Sequence, residues 1–136
     1  MGFTVQIRQT SPSASEAKIR GHRIAIDRPG DKGGSDQGPM GGELFLAATG
    51  GCFMSTLLAA IRAREAQARI HNVLVEVEGT IEQSPARFTA IELRVSAECE
   101  DRALFEKLVE VAERGCIMVN TLRGILQVRI RIGIAA

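Results

Sequence analysis

The segment that most restricts the fold of this chain is residues 44–61, which contain no charged side chain over 18 positions. That length lies near the lower limit for a helix that spans a membrane. The segment also contains small and polar residues, namely Thr49, Gly50, Gly51, Ser55 and Thr56. We therefore interpret it as a buried helix and expect no membrane partner. A helix that is apolar on every side in so small a protein needs cover from a sheet and from a partner subunit.

Hydrophobic periodicity predicts the elements around this helix. The central helix itself is predicted over residues 43–68, and a second helix, capped by Asp101, runs to about residue 114. Residues 28–42 are rich in Gly, Asp and Pro and are predicted to form a long loop. Alternating apolar residues predict strands over residues 3–9, 17–20, 22–27, 72–82, 88–98 and 126–134.

The order of these elements is βββ-α-ββ-α-β. Such an order favours a single α+β domain over residues 1–136, in which antiparallel strands surround a buried central helix. No repeat or linker divides the chain.

The charge pattern gives no support to nucleic-acid binding. The 17 basic and 16 acidic residues leave a net charge of +1, and no basic cluster stands out. The N-terminus alternates in the manner of a strand rather than a signal peptide. Three cysteines without a secretion signal predict a reducing cytoplasm, where thiols stay free unless chemistry oxidises them.

Two cysteines lie in unlike settings. Cys52 falls within the central helix, where a thiol is most often an inert core residue. A reactive Cys52 needs access, a positive neighbour and a partner thiol; Gly50 and Gly51 allow close approach, and Thr56 lies on the same helical face, where it could hydrogen-bond the sulfur. Cys116 follows Gly115, the expected end of the second helix, and both a packing and a reactive role stay open for it.

The other candidate ligands and nucleophiles point to no site. Cys99 lies among three acidic residues, which disfavour a thiolate. His22 and His71 have no Cys or carboxylate at a recognised ligand spacing, so we expect neither a zinc site nor any other metal. No phosphate-binding loop or nucleophile elbow is present, and we expect no cofactor.

Several segments resemble the OsmC/Ohr family. Residues 39–52, Pro-Met-Gly-Gly-Glu-Leu-Phe-Leu-Ala-Ala-Thr-Gly-Gly-Cys, resemble the start of its central helix, and residues 75–79 and 87–91 resemble the next two strands. Cys116, with Asn-Thr-Leu-Arg-Gly at residues 120–124, resembles the family's second cysteine segment. The resemblance covers most of the chain from about residue 33 onward.

This resemblance implies an intertwined homodimer with an active site at each subunit interface, and it implies reduction of organic hydroperoxides. Cys52 would be the peroxidatic thiolate that attacks the peroxide and becomes a sulfenic acid. Cys116 would condense with it to a disulfide, which a dithiol such as a lipoyl group would reduce.

The chain departs from the pattern of active members at three places. Gly42 stands where they place a glutamate, and Glu43 comes one residue late, about 100° away around a helix. The first turn, residues 11–14, lacks their arginine, so Arg8 and Arg20 are the nearby candidates to activate the thiolate. Ile117 replaces the proline that commonly follows the second cysteine. These departures place the chain among the divergent OsmC-like proteins.

Three functions therefore compete. The first is a hydroperoxide reductase that uses Cys52 and Cys116. The second, motivated by the missing glutamate and arginine, is a non-catalytic OsmC-like dimer that binds a small apolar ligand. The third is a plain structural or interaction domain.

Overall fold

The computed structural model describes residues 1–133. Ile134, which ends the last predicted strand, lies outside this range. The chain divides into two compact units, Met1–Phe45 and Leu46–Ala136. The expectation of a single domain over residues 1–136 stays a prediction.

The first unit contains a three-stranded antiparallel sheet. Its strands are β1 (Gln6–Gln9), β2 (Ser15–Ile19) and β3 (His22–Ile26), in the order β1-β2-β3. A two-residue turn joins β2 to β3, and in it Arg20 adopts a left-handed φ of 54°. A short 3-10 helix, Gly30–Lys32, follows in the loop that precedes the long helix.

Asp27 organises this loop from the end of β3. Only 2% of the residue is exposed, and its carboxylate accepts the backbone N–H groups of Arg28, Ser35 and Gln37 at 2.7, 3.1 and 3.1 Å. Burial raises the pKa of this carboxyl, but the hydrogen bonds, with that of Gln37 first among them, outweigh burial and hold the pKa below its ordinary value. The loop is thus ordered by an ionised carboxylate.

The long helix α1 covers Gly41–Ala63, so it begins two residues before the predicted start and ends five residues before the predicted end. Glu65 has a left-handed φ of 50°, which ends the helical path. One face of α1 is buried and consists of Thr49, Gly50, Phe53, Leu57 and Ile61. The opposite face is open in the single chain, since Ala47, Ala48, Gly51, Ser55, Leu58 and Ala59 are exposed.

The expectation that α1 is buried on every side is therefore met on one face only within a single chain. By length and composition alone, α1 is also the one helix of the described residues that could cross a membrane, a test that core helices pass as well.

The second unit contains a three-stranded mixed sheet. A hairpin joins β4 (Ile70–Glu82) to β5 (Arg87–Cys99), and β6 (Gln127–Ile132) pairs with β5 on the other side. The β5–β6 pair is parallel and differs from the antiparallel expectation. The reason is the connection: two helices carry the chain back along the sheet before β6 begins, as a parallel pair requires.

Those two helices are α2 (Arg102–Gly115) and α3 (Ile117–Leu122). Asp101 caps α2 as predicted, with its carboxylate accepting the N–H of Leu104 at 3.0 Å. The predicted order of elements is confirmed apart from α3, which the sequence did not indicate. The core of the unit joins the inner face of β5 to one side of α2, through Ile91, Leu93, Val95, Phe105, Leu108 and Ala112.

Candidate active site

The structure brings Cys52 and Cys116 together. The Cys116 thiol donates to the sulfur of Cys52, and the two Sγ atoms lie 3.6 Å apart. Both thiols are free. The two differ in access, because Cys52 is half-buried whereas none of Cys116 is exposed.

The position of Cys52 on α1 explains its access. Its neighbour Phe53 is fully buried, whereas Gly51 on the other side is exposed. Cys52 therefore lies on the border between the covered and the open face of the helix. A thiol on this border can be reached by a small molecule while it contacts a buried partner.

Gly50 fixes how closely α1 lies on the sheet. A Cβ atom at this position would come within 2.6 Å of Cγ2 of Val77 on β4, which is nearer than real side chains approach each other. Only glycine permits this spacing without movement of the helix or of the strand. The position of Cys52, two residues further along the helix, depends on that contact.

Thr56 joins α1 to the end of α2. Its hydroxyl donates to the carbonyl oxygen of Cys52 at 3.0 Å, so the expectation that it bonds the sulfur is wrong. A helical threonine commonly bonds the carbonyl four residues earlier in this manner. Its methyl group lies 3.3 Å from where a Cβ of Gly115 would be, so α2 ends close against α1 next to Cys116.

Cys116 occupies the bend between two helices. It is at once the C-terminal cap of α2 and the N-terminal cap of α3, with extended φ and ψ of −79° and 117°. Gly115 is thus the last residue of α2 rather than the residue after it. Because Cys116 follows the helix directly, its sulfur is directed by the bend and by the helices on both sides.

Two side chains clamp this bend. The amide of Asn120 donates to the carbonyl oxygen of Arg114 at 3.0 Å, and the guanidinium of Arg123 pairs with the carboxylate of Glu113 at 2.6 Å. The backbone N–H of Asn120 also donates to the carbonyl oxygen of Cys116 at 2.9 Å. The two side-chain bonds connect α2 with α3 and its C-terminal cap, the backbone bond begins α3, and together they hold Cys116 in place.

The surroundings of Cys116 favour its protonated form. Burial raises the pKa of the Cys116 thiol, and the hydrogen bond to Cys52 and the charge of Cys52 raise it further. Backbone N–H groups of Val119 and Met118 act in the opposite direction but do not outweigh burial. Cys116 is the proton donor of the pair, and Cys52 is left as the sulfur that can act as nucleophile.

The supporting residues predicted from the resemblance lie in the first unit. Glu43 is in the first turn of α1, where its carboxylate accepts the N–H of Met40 at 2.9 Å. Arg8 is exposed on β1, and Arg20 is exposed in the turn after β2. Within residues 46–133, the sulfur of Cys52 has Cys116 as its one hydrogen-bond partner. A role for Glu43, Arg8 or Arg20 at the thiolate stays a prediction.

Two of the remaining candidates, Cys99 and His71, lie at the open end of the β4–β5 hairpin. Cys99 ends β5, opposite Ile70 in the ladder, and His71 lies 3.3 Å from the carboxylate of Glu98 on the neighbouring strand. In the part of the chain that the structure describes, no group of three or more His, Cys, Asp or Glu could hold a metal ion.

The sequence reasoning missed two features of the site, namely α3 and the backbone N–H groups that face Cys116. A six-residue helix carries too few apolar positions to show a period, and no capping side chain marks its start.

Comparison with known families places most of the chain in one group. Residues 33–131 match the family model described as OsmC-like protein. No curated protein is similar enough in sequence to count as a relative.

Solved structures show the same fold at low sequence identity. The OsmC-like protein from Mycoplasma pneumoniae superposes with a TM-score of 0.81 at 17% identity, over 99% of this chain and 96% of that one. An organic hydroperoxide resistance protein from Elizabethkingia anophelis gives 0.75 at 20% identity, over 99% of both chains. The organic hydroperoxide resistance protein OhrB of Bacillus subtilis gives 0.71 at 18% identity, over 98% of both. At these identities the similarity establishes the fold.

Proposed function

The chain belongs to the OsmC-like protein family, and on that premise we propose that it reduces organic hydroperoxides through Cys52 and Cys116. The observation that carries the proposal is the separation of 3.6 Å between an accessible sulfur and a buried one. The family includes organic hydroperoxide resistance proteins, among them two of the structural neighbours.

The first step uses Cys52 as the nucleophile. Its thiolate attacks the terminal oxygen of the hydroperoxide and breaks the O–O bond. Cys52 is oxidised to the sulfenic acid, and the alkoxide leaves and takes up a proton to become the alcohol. Access at the border of the open face of α1 supports this assignment.

The second step uses Cys116. Its sulfur attacks the sulfur of the Cys52 sulfenic acid, the S–O bond breaks, and hydroxide leaves with the Cys116 proton as water. A disulfide has an S–S distance of about 2.05 Å. The two sulfurs start 3.6 Å apart, so the required approach is of a size that side-chain motion can supply.

The proposal includes partners. A dithiol such as a lipoyl group reduces the disulfide and restores both thiols. A homodimer packs on the open face of α1 but leaves its border beside Gly51 and Cys52 accessible, and it can bring a charged side chain such as Arg8, Arg20 or Glu43 to the thiolate. A reducing cytoplasm suits the cycle, because it supplies dithiols and keeps Cys99 free.

The direct test is consumption of cumene hydroperoxide with dihydrolipoamide as reductant. Cys52→Ser should abolish turnover, because no other thiol of the described chain is both accessible and paired. Cys99→Ser is the matched control and should turn over like the unaltered protein. Equal turnover by Cys52→Ser and Cys99→Ser would sink the proposal.

A second function has an observation of its own. A cavity of about 510 Å³ lies between the later turns of α1 and the start of β4, lined mainly by Met54, Leu58, Ile61, Ile70 and Val73. Its volume suits a small apolar ligand of the kind that a non-catalytic OsmC-like dimer would bind. Native mass spectrometry with decanol tests this function. Binding that Leu58→Arg removes, in a protein that consumes no peroxide, would favour it over peroxide reduction.

A further inference from the structure

The two sulfurs of the oxidised pair are not equivalent targets for a reductant. We propose that the reducing thiolate attacks the sulfur of Cys52, so that the mixed disulfide forms on Cys52 and Cys116 leaves. This assignment rests on the proposed two-cysteine cycle and specifies its reductive half, including which protein atom binds the reductant.

The difference in access favours attack on Cys52. A thiolate attacks a disulfide along the S–S axis, from the side opposite the sulfur that leaves. For attack on Cys116 that side lies in the interior, since none of Cys116 is exposed and Val119 and Ala112 near it are fully buried as well. For attack on Cys52 it lies toward the border of the open face of α1, beside the exposed Gly51.

Burial makes Cys116 the poorer leaving group, but this cost is smaller in the exchange than in the reduced pair. The backbone N–H groups of Val119 and Met118 lower the pKa of the Cys116 thiol and so favour its anionic form. In the reduced pair the charge on Cys52 opposes that form. In the mixed disulfide Cys52 carries no charge, so this opposition is absent when Cys116 departs. Burial still disfavours the anion, which then takes up a proton.

The clamped bend also favours attack on Cys52. The Glu113–Arg123 ion pair and the bond from Asn120 to the carbonyl of Arg114 keep Cys116 between α2 and α3. These bonds hold the chain on both sides of Cys116, so its sulfur stays buried unless the bend itself opens. Cys52 reaches the reductant without any such change.

The electrons and atoms balance through two exchanges. The first thiolate of the dithiol forms a bond to Cys52, the Cys52–Cys116 bond breaks, and Cys116 leaves with the electron pair. The second thiolate of the dithiol then attacks the sulfur bonded to Cys52, closing a cyclic disulfide and releasing Cys52 as the thiolate. The dithiol is oxidised by two electrons and the protein is reduced by two.

The test separates this assignment from the peroxidase reaction. The disulfide is formed with diamide, which oxidises dithiols without a peroxide, in protein that carries Cys99→Ser. The oxidised protein is mixed with glutathione, stopped with acid at short times, alkylated, and mapped by mass spectrometry. Glutathione should be found on Cys52 at least about tenfold more often than on Cys116, because the two sulfurs differ in access.

Single-cysteine variants give an independent measurement. Cys116→Ser and Cys52→Ser, both in the Cys99→Ser background and checked for folding by circular dichroism, are loaded with glutathione and then treated with dithiothreitol. Release from Cys52 should be at least about tenfold faster than release from Cys116. Equal release, a wild-type adduct that maps mainly to Cys116, or failure of diamide to join the two sulfurs would overturn the assignment. Selective labelling of Cys52 supports it even in a protein that consumes no peroxide.

Discussion

The two cysteines lie in different settings, and the difference suits the two roles proposed for them. Cys52 lies partway along a helix of 23 residues, held down by close contact at Gly50 but open on one side. Cys116 lies in a bend between two helices, closed on all sides and clamped by bonds across the bend. In the proposed cycle, the long helix presents one sulfur to small molecules and the bend holds the second sulfur close behind it.

Removing the buried thiol of Cys116 tests the difference between the two cysteines most strongly. With excess cumene hydroperoxide, Cys116→Ser should carry Cys52 beyond the sulfenic acid to the irreversible sulfinic acid, because no thiol is left to intercept it. The unaltered protein should stop at the disulfide. Intact mass after treatment distinguishes the two, with Cys99→Ser as control. Sulfinic acid in equal amounts in both proteins would mean that Cys116 does not protect Cys52.

The next largest effect concerns the contact of the open-sided helix with the sheet. Gly50→Ala places a Cβ within 2.6 Å of Val77, so either helix or strand must move. We expect a loss of about 1–3 kcal/mol in the free energy of unfolding. Peroxide consumption should slow as well, because Cys52 is displaced.

Gly51 provides the matched control for this change. A Cβ at Gly51 meets nothing within 4 Å in the single chain, and alanine is favoured over glycine in a helix by up to about 1 kcal/mol. Gly51→Ala should therefore be neutral or stabilising by denaturant unfolding. Equal losses for both variants would show that the Gly50–Val77 contact does not seat the helix.

A pH titration separates the two settings by charge. The pKa of Cys116 is raised above the ordinary thiol value of 9.0 by burial and by Cys52, so its alkylation by iodoacetamide should begin only at higher pH. Cys52→Ser removes the charge of Cys52 and should move the onset to lower pH. If the pH at which alkylation of Cys116 begins did not change, burial alone would account for its raised pKa.

The same shift has a consequence for stability. A raised pKa in the folded state favours the protonated thiol, so its contribution to stability is present below the unfolded pKa. It is lost as pH rises through the folded pKa. The alkaline limb of a pH–stability curve should therefore be shallower in Cys116→Ser than in the unaltered protein.

The smallest effect is expected where α2 meets α1. Gly115→Ala brings a Cβ to 3.3 Å from the methyl group of Thr56, a contact that a shift of a few tenths of an ångström relieves. We expect a change below about 1 kcal/mol and a modest change in the rate of disulfide formation. Thr56→Ser keeps the hydroxyl and removes the methyl group, so the double variant should restore the original rate. If the double variant did not restore the rate of disulfide formation, the contact between residue 115 and Thr56 would not be the cause of the change.

The sequence predicted those parts of the fold that carry a long, regular signal. A charge-free segment of 18 residues is too long for a strand, and two strands of 13 residues each alternate clearly, so α1, β4 and β5 were found near their true positions. The α+β class and the OsmC-like family are confirmed as well. The dimer, the reductant and the compartment stay proposals.

Features that depend on tertiary contact were beyond the sequence. Whether Cys52 and Cys116 meet is decided by how α2 returns to α1, and no local pattern encodes that path. The same holds for the parallel pairing of β5 with β6. Alternation along the strand predicts Ile81 on the same face as Val77, but the ladder shifts between Thr80 and Ile81 and leaves Ile81 54% exposed.

The central claim is that the two contacting cysteines form one peroxide-reducing pair, and a thiol count tests it most directly. One equivalent of cumene hydroperoxide should remove two of the three thiols in the unaltered protein and leave the intact mass of a single disulfide. Under the same conditions Cys116→Ser should yield a sulfenic acid on Cys52 that dimedone traps. Three unreacted thiols after this treatment would contradict the account, because they would show that the pair has the geometry of the reaction without its reactivity.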